Sequence, residues 1–158
     1  MIDAIMNERI FTSKIIKSLN LLPDTNAYKI PDSGNAKRFS PIKPFDIVVD
    51  YKDKFIAIEC KYLKGWKSLN INSFIQINKQ KEIVNNQLEN LMKHKYSFVF
   101  INVWEKNTFD YCIILDKKDI NFLLGITSIK AKELKEYYKI ECYRQIYNLN
   151  NIRNYIDD

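Results

Sequence analysis

The chain has 158 residues, with 25 Lys and Arg against 19 Asp and Glu, one His, three Cys and three Gly, for a formal net charge of +6. That length can bury a sizeable core as one domain, and 46% hydrophobic with 13% aromatic residues is a globular composition rather than a disordered one. The single histidine, His94, excludes metal chemistry built on two imidazoles; the wide spacing of Cys60, Cys112 and Cys142 excludes a zinc knuckle, and glycine only at positions 34, 65 and 125 leaves no GxGxxG loop.

Three unpaired cysteines beside apolar neighbours suit a reduced compartment. The longest uncharged apolar-rich run, Ser97 to Trp104, falls far short of the roughly 18 residues of a membrane span. Asp3, Glu8 and Arg9 near the start do not suit an export signal. The expectation is a cytoplasmic protein with no membrane partner and no nucleotide cofactor.

Ile5, Ile15, Ile16, Leu19 and Leu22 recur at helical spacing, which predicts a helix capped by Asp3 and ended by Pro23 and Asp24. On that wheel Glu8 falls between Ile15 and Leu19, on the apolar stripe, where a carboxylate needs solvent or a basic partner. A short strand at Ala27–Ile30 precedes a surface loop from Pro31 to Pro44 that holds three of the four prolines. Two strands follow, Phe45–Tyr51 and Lys54–Tyr62, joined by a tight turn at Lys52-Asp53. Residues 63–77 show no dominant period. The spacing of Ile83, Val84, Leu88, Leu91 and Met92 predicts a helix over Lys79–Lys95 with Gln87 inside its apolar face. Strands are expected at Phe98–Trp104 and Asp110–Leu115, then a helix from a cap at Ser128 to about Tyr138. The whole reads as one α/β domain, a mixed sheet covered by helices, with a helical extension from about residue 117 to 158.

Between residues 29 and 81 stand eleven Lys and Arg against five Asp and Glu, so the entire +6 excess lies there and the rest of the chain is balanced. Such local excess suits a polyanion, although a lysine-rich solvated surface has the same signature.

In Phe55-Ile56-Ala57-Ile58-Glu59-Cys60-Lys61-Tyr62 a glutamate and a lysine interrupt an apolar strand two residues apart, so both point to one side. If the hairpin turns about Lys52-Asp53, Asp46 lies opposite Glu59, with Cβ atoms roughly 5 Å apart. Two carboxylates so placed repel unless a cation sits between them, and a hard divalent ion such as Mg²⁺ resolves the conflict. Lys61 then stands beside the metal, fit to orient a water or to hold negative charge on a phosphate. A plain Glu59–Lys61 salt bridge on a wet face is the simpler reading of the pair alone.

Pro44-Phe45-Asp46 with Ile58-Glu59-Cys60-Lys61 resembles the PD-(D/E)XK nuclease superfamily. Lys29-Ile30-Pro31-Asp32 ahead of the loop, Ser73-Phe74, and Asn86-Gln87 on a helix make the chain similar to the RecU-like and archaeal Hjc-like Holliday junction resolvases over about residues 5–116. The proline stands one place early, and Asn86 replaces a frequent histidine. The resemblance implies a restriction-endonuclease-like α-β-β-β-α-β core, Mg²⁺ or Mn²⁺ as cofactor, and a homodimer making paired nicks in branched DNA, the four-way junction. It implies Asp46, Glu59, Glu8 and the Cys60 carbonyl as metal ligands and Lys61 as the catalytic lysine, with Ser33 and Gln87 as further site residues. Lys29, Lys37, Arg38, Lys43, Lys64 and Lys67 are expected at the DNA phosphates. A restriction-type or repair endonuclease on the same core, and a non-catalytic DNA-binding protein, remain the alternatives.

Overall fold

The computed structural model describes residues 7–31, 43–104, 111–134, 138–143 and 146–147. Helix α1 (Glu8–Leu19) starts one residue after Asn7, whose Oδ1 accepts from the Ile10 amide at 2.8 Å. Asn7 thus supplies the cap expected of Asp3, which lies outside the described residues. Strand β1 (Thr25–Lys29) pairs antiparallel with β2 (Ile47–Tyr51), and β2 with β3 (Lys54–Lys64). Lys52 and Asp53 both take positive φ, 48° and 63°, as a two-residue hairpin turn requires, and the register joins Tyr51 to Lys54 and Ile47 to Ile58 as expected.

After β3 come the short strands β4 (Ser68–Asn70), β5 (Ile75–Ile77) and β6 (Ile83–Asn86), then helix α2 (Gln87–Met92). The expected helix over 79–95 is corrected to a hairpin followed by six helical residues. Asn78 Oδ1 accepts from the amides of Gln80 and Glu82, and Lys81 sits at φ 60°, which closes a turn and sends Ile83 and Val84 into β6 against β5. Asn86 Oδ1 then accepts from the Leu88 and Glu89 amides, so the helix can begin only at Gln87. Ile77 and Ile83 are left 59% and 63% exposed, while Leu88 and Leu91 are buried.

Strand β7 (Tyr96–Trp104) lies parallel to β3, and β8 (Tyr111–Leu115) antiparallel to β7. Helix α3 (Lys117–Leu124), at the start of the expected helical extension, begins with a capping box in which Asp116 and Asp119 each accept from the other's amide. The carboxyl of Asp119 is pushed up to about 6, chiefly by burial. The helix expected from Ser128 is also corrected. Residues Ser128–Lys130 form β9, which pairs with β4 so that buried Leu69 meets buried Ile129, and among the described residues of that stretch the helical ones are α4 (Ala131–Leu134). Strands β10 (Tyr138–Tyr143) and β11 (Ile146–Tyr147) extend the sheet beyond β8, so the described part of the extension is mixed rather than helical.

The main sheet runs β1-β2-β3-β7-β8-β10-β11, and the succession α1-β1-β2-β3-α2-β7 is the α-β-β-β-α-β core expected. Ile56, Ile58 and Cys60 of β3 point to the side of α1, where Phe11, Ile15 and Leu19 cover them. Ala57 and Leu63 point to the other side, against Leu88, Leu91, Ile120 and Leu123. By that alternation Glu59 and Lys61 share the α2 and α3 side. Among the described residues no helix is long and apolar enough to cross a membrane.

Phe11, fully buried one turn after Glu8, anchors the start of α1 to the sheet. Phe11→Ala should cost about 3–5 kcal/mol in urea unfolding, through lost burial and the cavity left behind. A loss below about 1 kcal/mol would mean that α1 is held from elsewhere.

Candidate metal centre

Asp46 stands at the mouth of the hairpin, one residue before β2. Its amide donates to the Ile58 carbonyl at 3.1 Å, one residue out of step with the β2–β3 ladder, which ends at Ile47 and Ile58, and its carbonyl accepts from the Ile30 amide at 2.9 Å; a hydrogen bond between the two carboxyls places Asp46 beside Glu59. Its Oδ2 accepts from the Cys60 amide at 2.9 Å, and Lys43 Nζ lies 3.3 Å from Oδ1.

Glu59 is 1% exposed, and among the described residues its Oε1 has no hydrogen-bond partner. Burial, then the charge of Asp46 and a hydrogen bond with it, push the Glu59 carboxyl well above its ordinary value, against a smaller opposing pull from Lys61. Glu8 reaches the same place from the first turn of α1, where the helix N-terminus favours a negative charge. Its side chain keeps 48% of its surface, and partial burial raises its carboxyl, with Lys61 opposing. One carboxylate oxygen from each of Glu8, Asp46 and Glu59 lies within 4.8 Å of the others.

Lys61 closes the cluster. Its Nζ is 3.6 Å from Glu59 Oε2 and 3.9 Å from Glu8 Oε1, donates to the Ser73 carbonyl at 3.0 Å, and lies 4.8 Å above the Phe74 ring. The turn after β4 thereby fixes an ammonium beside three carboxylates. A buried oxygen without a partner, in a cluster of hard oxygen donors, fits a hard divalent cation and leaves Glu59 poorly served without one. Bound there, such an ion polarises a phosphoryl oxygen and lowers the pKa of water.

The structure brings Glu8, Asp46, Glu59 and Lys61 together. The Cys60 amide is committed to Asp46, and its thiol, pushed up by burial, lies in the core beneath α1. Gln87 Nε2 lies 3.5 Å from the Lys43 carbonyl, at the long limit of a hydrogen bond. Lys43, expected at DNA phosphates, is enclosed and paired with Asp46. Lys29, Lys64 and Lys67 are exposed, with Lys64 Nζ 5.8 Å from the Trp66 ring centroid. Ser33, Lys37 and Arg38 lie outside the described residues. His94 packs its ring on Phe45 and Phe55. Sequence reasoning missed Asn85 and Asn90, whose amides donate to the carbonyls of Lys43 and Pro44, because the segment read as the apolar face of a helix.

No family model matches the chain, and no curated protein matches it. Among solved structures it is similar to the 1.6 Å structure of Hjc, a Holliday junction resolvase from the archaeal hyperthermophile Archaeoglobus fulgidus. The identity is 12%, the match covers 81% of this chain and 99% of that one, and the TM-score is 0.32. At that score the likeness is loose.

Proposed function

We propose that this protein is a metal-dependent endonuclease that hydrolyses DNA phosphodiester bonds, with a four-way junction as its substrate. The observation that carries the reading is the convergence of Glu8, Asp46 and Glu59 within 4.8 Å, one buried oxygen unpartnered, against the ammonium of Lys61. Asp46 and Glu59 would hold Mg²⁺ or Mn²⁺ from facing strands, with Glu8 and the Cys60 carbonyl completing the protein's share of the ligands. In hydrolysis the oxygen of water bonds to phosphorus, a P–O ester bond breaks, and the departing oxygen takes up a proton. Lys61, fixed by the Ser73 carbonyl and the Phe74 ring, holds the negative charge that develops on the phosphoryl oxygens. Gln87 and Ser33 enter the proposal through the motif resemblance.

The choice of a junction rests on that same resemblance and on symmetry. Paired nicks across a four-way junction need two sites related by a two-fold axis, hence a homodimer. Lys29, Lys37, Arg38, Lys64 and Lys67 would contact phosphates, so affinity falls steeply with salt.

The test compares nicking of a synthetic four-way junction, a flap and a linear duplex with Mg²⁺ or Mn²⁺. Symmetrical paired nicks confined to the junction are expected. Cutting of linear duplex at one sequence selects the restriction-type or repair reading, and no cutting of any substrate selects a non-catalytic DNA-binding protein. A smaller effect belongs to Glu8, which is half-exposed and reaches the cluster from another element. Glu8→Gln should raise the Kd for Mn²⁺ about tenfold, measured by calorimetry, with the fold intact. An unchanged Kd would remove Glu8 from the ligand set.

A further inference from the structure

Of the three carboxylates, Glu8 is carried by a helix and Glu59 by the middle of the longest strand, whereas Asp46 stands one residue before β2. Lys43, Pro44 and Phe45 lead into it ahead of the first ladder pair, so repulsion within the cluster acts on a carboxylate whose approach the sheet ladder does not hold.

The carbonyls just ahead of Asp46 are gripped by side-chain amides. Asn85, 6% exposed, donates from Nδ2 to the Lys43 carbonyl at 3.0 Å and to Gln76 Oε1 at 3.1 Å. Asn90 donates from Nδ2 to the Pro44 carbonyl at 3.2 Å and to Asn85 Oδ1 at 2.6 Å. The Asn85 oxygen and both of its amide hydrogens are thus employed, as are both amide hydrogens of Asn90, which makes a connected and satisfied network rather than a loose pair of contacts. The same grip sets Lys43 with its ammonium 3.3 Å from Asp46. Neither asparagine donates to the carboxylates, so any effect on them passes through the backbone.

We infer that Asn85 and Asn90 are positioning residues for Asp46: by holding the carbonyls of Lys43 and Pro44 they keep its carboxylate aimed into the cluster against the repulsion of Glu59 and Glu8. The inference rests on the metal-centre reading. It makes metal affinity depend on two neutral side chains that are not ligands.

The test is calorimetric titration of Mn²⁺ into wild type, Asn85→Ala, Asn90→Ala and Leu123→Ala, well below each variant's Tm. Leu123, a buried residue of α3, is a control that loses stability without touching this network. The asparagine variants should show a Kd raised about tenfold or more, and Leu123→Ala a Kd within about twofold of wild type. If Asn85→Ala does not fold, Asn90→Ala, whose side chain is partly exposed, decides alone. Wild-type Kd values in folded asparagine variants, or an equal loss in Leu123→Ala, would overturn the inference while leaving the metal centre standing. Failure of the wild type itself to bind Mn²⁺ would overturn both.

Discussion

Lys61→Ala should lower the rate of junction nicking by about two to four orders of magnitude while leaving junction affinity within about threefold of wild type. The size of the effect follows from the enclosure of the ammonium. With its side chain 12% exposed, and held by the Ser73 carbonyl above the Phe74 ring, Lys61 acts 3.6 Å from Glu59 where water screens little. DNA affinity, by contrast, sums over many exposed lysines, and one enclosed ammonium adds little to it. Single-turnover nicking and fluorescence anisotropy on the same junction separate the two quantities. A nicking rate within threefold of wild type would reduce Lys61 to a counter-ion for Glu59.

Glu59→Gln should stabilise the metal-free protein at pH 8 and abolish stabilisation by Mn²⁺. The sign follows from the raised carboxyl. A group whose folded pKa lies above its ordinary value of 4.5 contributes stability that is complete below that value and is lost as pH rises through the folded one. As pH rises through the folded value the wild type takes on a buried charge beside Asp46, a penalty that glutamine of the same shape does not carry. Removing it should raise Tm by about 2–4 °C for each 1 kcal/mol regained, with the two proteins converging below pH 4.5. In the wild type, Mn²⁺ at a hundred times its Kd should add about 2.7 kcal/mol, and in Glu59→Gln nothing. Thermal unfolding with and without metal at the two pH values checks both halves. A Glu59→Gln protein destabilised at pH 8 would mean that the carboxylate earns its place structurally, as the partner of Lys61.

The hairpin was the most legible part of the chain. Lys52-Asp53 between two β-branched and aromatic runs dictates a two-residue turn, and period-two alternation then leaves one register that buries Ile56 and Ile58 and brings Asp46, just ahead of the first ladder pair, close to Glu59. Glu8 was legible as an oddity on an apolar stripe, but its setting was not. With the helix starting at Asn7 it lies in the first turn, half in solvent, reaching Lys61 rather than sitting in the core.

Residues 79–95 were misread because local side-chain chemistry outweighed hydrophobic spacing. Asn78 and Asn86 each accept two backbone amides, and those four bonds turn an apparent helix into a hairpin with a short helix behind it. The same asparagine-rich stretch supplies Asn85 and Asn90, whose partners Lys43 and Pro44 lie more than forty residues away and leave no mark on local spacing. Lys43 was misplaced for a related reason. A charge count gives it to the basic surface, while proximity within one turn of chain gives it to Asp46.

The most direct measurement is a calorimetric titration of Mn²⁺ at neutral pH in buffers of different ionisation enthalpy, on the wild type and on Asp46→Asn. Because burial raises Glu59 and Glu8 and an ion competes with protons for their carboxylates, one Mn²⁺ per chain should bind and affinity should climb with pH. Asp46→Asn should lose that binding. No binding by the wild type, or binding that Asp46→Asn leaves unchanged, would contradict the account.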